Sequence, residues 1–345
     1  MNVNKLFYTI EITDKPAWEK TIKQCIFYDI YHTYFYHSLE SSFPSVLFVS
    51  EFNDELIVFP FKVRNIEDTG YFDLTSVYGY CGPISNKKFN DLSKEHFAFF
   101  HDEFAKFCNE NYVVSIFSRL HPLVDYSSFF EDLGEVADIN KTVVIDVAQP
   151  RENQVKEYRK STRHEIRYLR EKNYSIIETK DPKDIDNFIE MYYKTMEKVR
   201  AFERYYYNRD YFHGFLNNDD YEVMLLMAEK DGEYAAGGIF TVVGNVMQYH
   251  LATTAEKYIS DAPMKLILDE ARKRAIDRNL EFLHLGGGFA GRDNDNLYLF
   301  KCGFSKNRLQ FSVWKHITDT EQYDKLVAYV DIWRKVNNFF PLYRN

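Results

Sequence analysis

Cysteine is scarce and scattered: Cys25, Cys81, Cys108 and Cys302 stand singly, with no Cys-x-x-Cys pair and no histidine cluster at zinc spacing. That excludes a disulfide framework and a structural zinc site, so no metal is expected and the compartment is read as reducing. Long apolar runs are missing too. None approaches the roughly 20 residues that cross a bilayer, and the opening "MNVNKLFYTIEITDKP" lacks the pattern of a signal peptide. The expectation is a cytoplasmic protein without a transmembrane segment. Positive charge is also in deficit, with 43 Lys and Arg against 52 Asp and Glu, a net charge of -9. A general nucleic-acid coat protein is excluded on that count, because phosphate-backbone affinity needs a broad positive field. What the chain does have is the composition of a folded protein, 45% hydrophobic and 17% aromatic, and 345 residues, enough for two domains with their own cores.

Two segments look alike. "SVLFVSEFNDELIVFPFKV" reads as a hairpin turning at residues 53–55, and "EVMLLMAEKDGEYAAGGIFTVV" as a second turning at 231–233. Each is followed by a helix and another strand, "HFAFFHDEFAKFCNENYVVSIFSRL" and "MKLILDEARKRAIDRNLEFLHLGGG". Met264, Leu268, Ala271 and Ala275 suit one helix face, while Phe282, His284 and Gly286 alternate as on a strand. The simplest account is a duplicated α/β unit (α+β in its mixed sheets flanked by helices). Pro150 and the polar "RENQVKEY" mark the boundary, giving modules at 1–150 and 151–318. A terminal helix and tail, 319–345, carries no chemistry.

Several stretches bear chemistry. Gly286, Gly287 and Gly288 follow an apolar strand, but the run meets neither the Walker pattern nor the dinucleotide fingerprint. It reads either as a tight strand exit or as a place where a ligand approaches the backbone. Beyond it Asp295 suits a helix N-cap and Gly303 the position past the helix end. Lys301 then falls in the last turn, favoured by the helix dipole or projecting beside Phe300 toward charge developing on a carbonyl oxygen. From Lys156 to Lys172 seven Lys or Arg face three Glu. Arg159, Arg163, Arg167 and Arg170 share a face there, suited to phosphate or to pairing with acidic neighbours. "FIEMYYKTMEKVRAFERYYYNRDYF" crowds Tyr192, Tyr193, Tyr205, Tyr206 and Tyr207 with Arg200, a pocket lining or a core cap. "YFDLTSVYGYCGPI" holds Asp73, Tyr78 and Tyr80 at a strand end. His250, sharing a strand face with Gln248, is a candidate base or a structural histidine.

In order, "YDIYHTYFYHSL", "FDLTSVYGYCGP", "IFSRLHP", "RKSTRHEIRYLREKNY", "MYYKTMEKVRAFERYYYNRDYF" and "LHLGGGFAGRDNDNLYLFKCGF" resemble the duplicated GNAT-fold acyltransferases related to the Fem peptidyltransferases. The match runs from about Tyr28 to Ile317. The resemblance implies two tandem GNAT-like modules with a cleft between or beside them, and transfer of an acyl or aminoacyl group to an amine. In Fem enzymes the group comes from charged transfer RNA and goes to a cell-wall precursor peptide. Phe300 and Lys301 match the Phe-Lys pair implicated there in stabilising the oxyanion. The chain departs from acetyl-CoA-dependent relatives in the loop "AEKYISDAP", which lacks the glycines that grip the pyrophosphate. The long helical arm of some Fem enzymes has no counterpart.

The resulting expectation is an N-acyltransferase with no tightly bound cofactor, using acyl-CoA or aminoacyl-tRNA as co-substrate. Its acceptor is a small or nucleotide-linked amine of a cell-wall or surface-polysaccharide precursor, an amino sugar or peptide. Lys301 and His250 are the catalytic candidates. Phe300, Asp73, Tyr78, Tyr80, Arg200, Tyr206 and the three glycines are expected to bind substrate, and Arg159, Arg163 and Arg167 phosphate, including that of a tRNA acceptor end. The competing reading is a non-catalytic module binding a nucleotide-linked sugar or a protein partner.

Overall fold

The structure, a computed structural model, describes residues 4–39, 42–288, 295–328 and 339–344, and of Arg204 only the backbone. The chain forms two compact units, Met1–Ile139 with Gln310–Asn345, and Asn140–Leu309. These differ from boundaries at 150 and 318. Residues 140–150 fold with the second unit, and 310–317 return to complete the first, because strand pairing rather than the polar stretch after Pro150 decides membership.

The first unit contains β1 (Lys5–Glu11), α1 (Lys15–Ile22), α2 (Tyr34–Leu39), β2 (Ser45–Phe52), β3 (Glu55–Asn65), β4 (Phe72–Thr75), β5 (Ile84–Ser85), α3 (Lys94–Glu110) and β6 (Val113–Arg119). β7 (Glu135–Asp146) leads into the second unit. The second holds α4 (Arg151–Glu157), α5 (Lys160–Glu171), β8 (Ser175–Thr179), α6 (Pro182–Lys198), α7 (Arg209–Leu216), β9 (Glu222–Lys230), β10 (Glu233–Val243), β11 (Val246–Thr254), α8 (Met264–Asp277), β12 (Phe282–Gly286) and α9 (Asn296–Lys301). β13 (Arg308–Ile317) and α10 (Thr320–Ala328) belong to the first unit from Gln310 on.

The duplication is plain in the topology. Within the first unit the strand order is β1-β2-β3-β4-β6-β13, and within the second it is β8-β9-β10-β11-β12-β7. In each, the fourth and fifth strands are the parallel pair and every other neighbour is antiparallel. Both hairpins turn on two residues, Phe52 pairing with Glu55 and Lys230 with Glu233. Asp231 and Gly232 both take positive φ, 53° and 80°, which a type I′ turn requires.

β3 is an almost unbroken apolar run because both its faces are covered. Ile57, Phe59 and Phe61 meet Phe97, Phe100 and Phe104 of α3, while Leu56 and Val58 meet Trp18 and Ile22 of α1. β10 solves the same problem with small residues. A Cβ at Gly237 would lie 2.6 Å from Phe188 of α6, and one at Gly238 3.3 Å from Ile267 and Met264 of α8. The α8 face expected from spacing, Met264, Leu268, Ala271 and Ala275, is the buried one. The terminal helix reaches Ala328 within the described residues; 329–338 lie outside them.

Candidate active site

In the second unit β11 and β12 pair over three rungs, Val246 with Phe282, Met247 with Leu283 and Gln248 with His284. Past that last rung each strand follows its other neighbour. β11 continues along β10 with one extra residue, His250, where the register steps from Ile239↔Leu251 to Phe240↔Tyr249. β12 shifts register against β7 and turns at Gly286, φ 75°. A bulge adds local twist, so the two strands part, and their main-chain groups face a seam instead of each other.

Lys301 stands at this seam. Asp295 caps α9, its Oδ1 accepting from the amides of Leu297 and Tyr298 at 2.8 and 3.0 Å. Six residues after Asp295, Lys301 ends the helix, 7% exposed. Its Nζ donates to the carbonyl of Gly287 at 2.6 Å and lies 5.6 Å from the centroid of Tyr249. Burial lowers its pKa from 10.5 to about 8, with the Asp295 carboxylate pulling the other way. Phe300 packs edge-on against Phe304, 5.6 Å between centroids.

The glycines have separate reasons. Gly286 supplies the left-handed turn. At Gly287 a Cβ would sit 2.9 Å from Asn140 Nδ2 and 3.3 Å from the Lys141 carbonyl. Gly288 follows on the exit, half-buried; 289–294 of the resemblance motif lie outside the described residues. Gly287 offers Lys301 a carbonyl, so there the run presents an acceptor rather than the N–H cradle of a phosphate site. Gly303 lies just past the end of α9, after the Cys302 cap, as expected. Its Cβ would meet Thr162 Oγ1 at 2.7 Å, so close approach of α9 to α5 demands the glycine.

His250 is the bulge residue, which interrupts the alternation that would align it with Gln248. Its ring lies flat on Phe215, 4.7 Å between centroids, with Nε2 3.4 Å from the Tyr211 hydroxyl. That makes it part of the aromatic packing of α7. Gln248 instead accepts from His284, Oε1 to Nδ1 2.7 Å, both side chains buried.

Asp73 is corrected as a holder of an acceptor amine. Its buried carboxylate takes Arg64 at 2.6 Å, Arg344 at 2.5 Å and the Tyr343 hydroxyl at 3.1 Å, which fastens the C-terminal segment to the first unit. Tyr80 is wedged edge-on between Tyr31 and Phe311, whereas Tyr78 is exposed beneath the Arg119 guanidinium, 5.5 Å away. In the tyrosine crowd, Tyr192 and Tyr193 spend their hydroxyls on the carbonyls of Tyr205 and Tyr207, pinning the loop after α6. Arg200, at φ 50°, and Tyr206 are exposed on that loop.

Of the basic face, Arg159, Arg163 and Arg167 are exposed, while Arg170 is drawn to Asp269 at 2.5 Å. Arg159 also donates to the Leu299 carbonyl at 3.1 Å, placing this face beside the helix that carries Lys301. The loop after β11 is a poor diphosphate site. The amides of Tyr258, Ala262, Lys265 and Leu266 bond to carbonyls of the same loop at 2.9–3.1 Å. Lys257 and Lys265 are neutralised by Glu233 and Glu165.

The histidines of "YDIYHTYFYHSL" and "RLHP" are staples. His32 Nε2 donates to the Cys81 carbonyl and His37 Nε2 to that of Tyr31, and burial lowers their pKa values to about 4 and about 3. His121 Nδ1 accepts from the Leu123 amide, so its Nε2 donates to Asp29 at 3.0 Å.

Residues 156–312 match the model of a family described as an acetyltransferase (GNAT) domain. The second unit is a GNAT domain. The first repeats its topology, so the chain has a tandem GNAT fold. FemX has a similar structure, with a TM-score of 0.73 over 93% of this chain and 99% of that one at 10% identity. L-PGS from Bacillus licheniformis is similar at TM-score 0.56, 9% identity, 88% and 92% coverage. So is the C-terminal domain of a putative lysylphosphatidylglycerol synthetase from Agrobacterium fabrum, at 0.51, 11%, 78% and 85%. No curated protein matches the sequence. The chain shares its fold with these three structures. No helix among the described residues is long and apolar enough to cross a membrane, and no metal-binding cluster occurs among them.

Proposed function

We propose that the second unit transfers an acyl or aminoacyl group to the amine of a cell-envelope precursor, an amino sugar or peptide. The observation that carries this reading is the buried ammonium of Lys301 on Gly287, where β11 and β12 part. An amine attacking an ester or thioester carbonyl in that seam generates an oxyanion, and a desolvated, prepositioned cation stabilises it far better than water does. Lys301 supplies that charge while Phe300 and Phe304 keep the helix end dry. The committed amides and paired lysines of the loop after β11 weigh against coenzyme A, whereas the exposed Arg159, Arg163 and Arg167 favour a donor or acceptor rich in phosphates. An aminoacyl ester on RNA meets both conditions.

The test combines binding with turnover. Thermal shift against acetyl-CoA, coenzyme A, nucleotide sugars and an aminoacylated RNA hairpin is expected to show stabilisation by the RNA. Lys301→Met should keep that shift while losing about 100-fold or more in transfer rate. A variant transferring at the wild-type rate, or a chain that binds nucleotide sugars and transfers nothing, favours the non-catalytic module.

A further inference from the structure

We propose that His284 is the proton acceptor of the transfer reaction. The inference rests on the transfer reading of the second unit. His284 occupies the last rung before β11 and β12 separate, at the edge of the seam. Its neighbours Leu283 and Leu285 pack into the core with α8, as do Met247 and Tyr249 on β11 and Phe240 and Val242 on β10. Strand alternation therefore turns His284, Gln248 and Thr241 to the opposite face. Lys301 reaches the seam from the side of α8, and His284 borders it from the other.

The hydrogen bond to Gln248 decides what the imidazole can do. An amide oxygen only accepts, so Nδ1 carries the proton and Nε2 is the basic nitrogen. The rung Thr241–Gln248–His284–Val144 contains no other titratable side chain. Two hydroxyls on this face, Thr241 Oγ1 on the rung and Thr142 Oγ1 on β7, are buried with no hydrogen-bond partner among the described residues. Buried hydroxyls are nearly always satisfied, and Thr142 lies two residues from Val144, the β7 partner of His284, so its hydroxyl marks where a small polar molecule binds next to the imidazole. A water held there carries the proton from the nucleophile to Nε2. The nucleophile's lone pair forms the new bond to the carbonyl carbon, and Nε2 takes the proton. Collapse of the tetrahedral intermediate breaks the bond to the leaving group, which departs with the electron pair and recovers the proton from the imidazolium.

Hydrolysis of p-nitrophenyl acetate, with water as nucleophile, tests this without knowledge of the natural substrates. His284→Gln should lower kcat/KM at least tenfold and abolish the acidic limb of its pH profile, and imidazole in solution should restore rate to His284→Ala. Gln248→Glu, which places a carboxylate on Nδ1, should move the acidic limb to higher pH, and it decides the matter if the His284 variants fail to fold. If Lys301→Met slows hydrolysis while His284→Gln keeps the wild-type rate and profile, or if the Gln248→Glu limb stays in place, the role of His284 is overturned. If neither Lys301→Met nor His284→Gln changes the rate, the transfer reading falls and takes this inference with it.

Discussion

At the scale of the residue, Lys301 carries two opposing pH dependences. Its folded-state pKa, about 8, lies below the ordinary 10.5 because burial penalises the charge. Between those values the unfolded chain binds the proton that the folded chain has released, so stability rises with pH. The cost of keeping the ammonium buried, on the order of 3 kcal/mol, is present in full below pH 8 and is relieved toward pH 10.5. Activity should move the other way, because only the ammonium stabilises an oxyanion. Denaturant titrations from pH 7 to 10 are expected to show the wild type gaining on Lys301→Met while its transfer rate falls. Parallel curves for the two proteins would mean that Lys301 stays fully hydrated.

At the scale of the element, α9 is six residues long and depends on its cap. Asp295→Ala removes the acceptor for two amides and should cost about 1 kcal/mol. It also removes the carboxylate that holds the Lys301 pKa up, so the basic limb of activity should begin at lower pH than in the wild type. A limb that stays in place would show that Asp295 acts only as a cap. This helix was legible in "DNLYLFKCG", since a cap and a lysine in the last turn are local signals. The bulge at His250 was not. It arises from how β11 follows β10, and no local spacing announces it, so the alternation joining His250 with Gln248 failed at that residue. His284 was placed on a strand by its spacing, but its bond to Gln248 depends on a parallel register set by the crossover of α8.

At the scale of the whole chain, the doubled hairpin-helix-strand pattern revealed the tandem architecture because each copy repeats the same apolar periodicity. The strand exchange stayed hidden. β7 pairs with β12 and β13 with β6, long-range choices that local composition around Pro150 does not encode. Asp73 misled for a similar reason: its partners Arg64, Tyr343 and Arg344 include residues about 270 positions away. Asp73→Asn leaves two partly buried guanidinium groups short of charge and should cost on the order of 3 kcal/mol, read as a lower Tm, with the transfer rate of the second unit unchanged. A lost rate at full stability would return Asp73 to the substrate.

A desolvated ammonium waits at the parting of two strands, and NMR titration of 13Cε-labelled lysine reads its protonation. One resonance, absent from Lys301→Met, is expected to titrate near pH 8. A Lys301 resonance titrating near 10.5 with the solvent-exposed lysines would contradict the account.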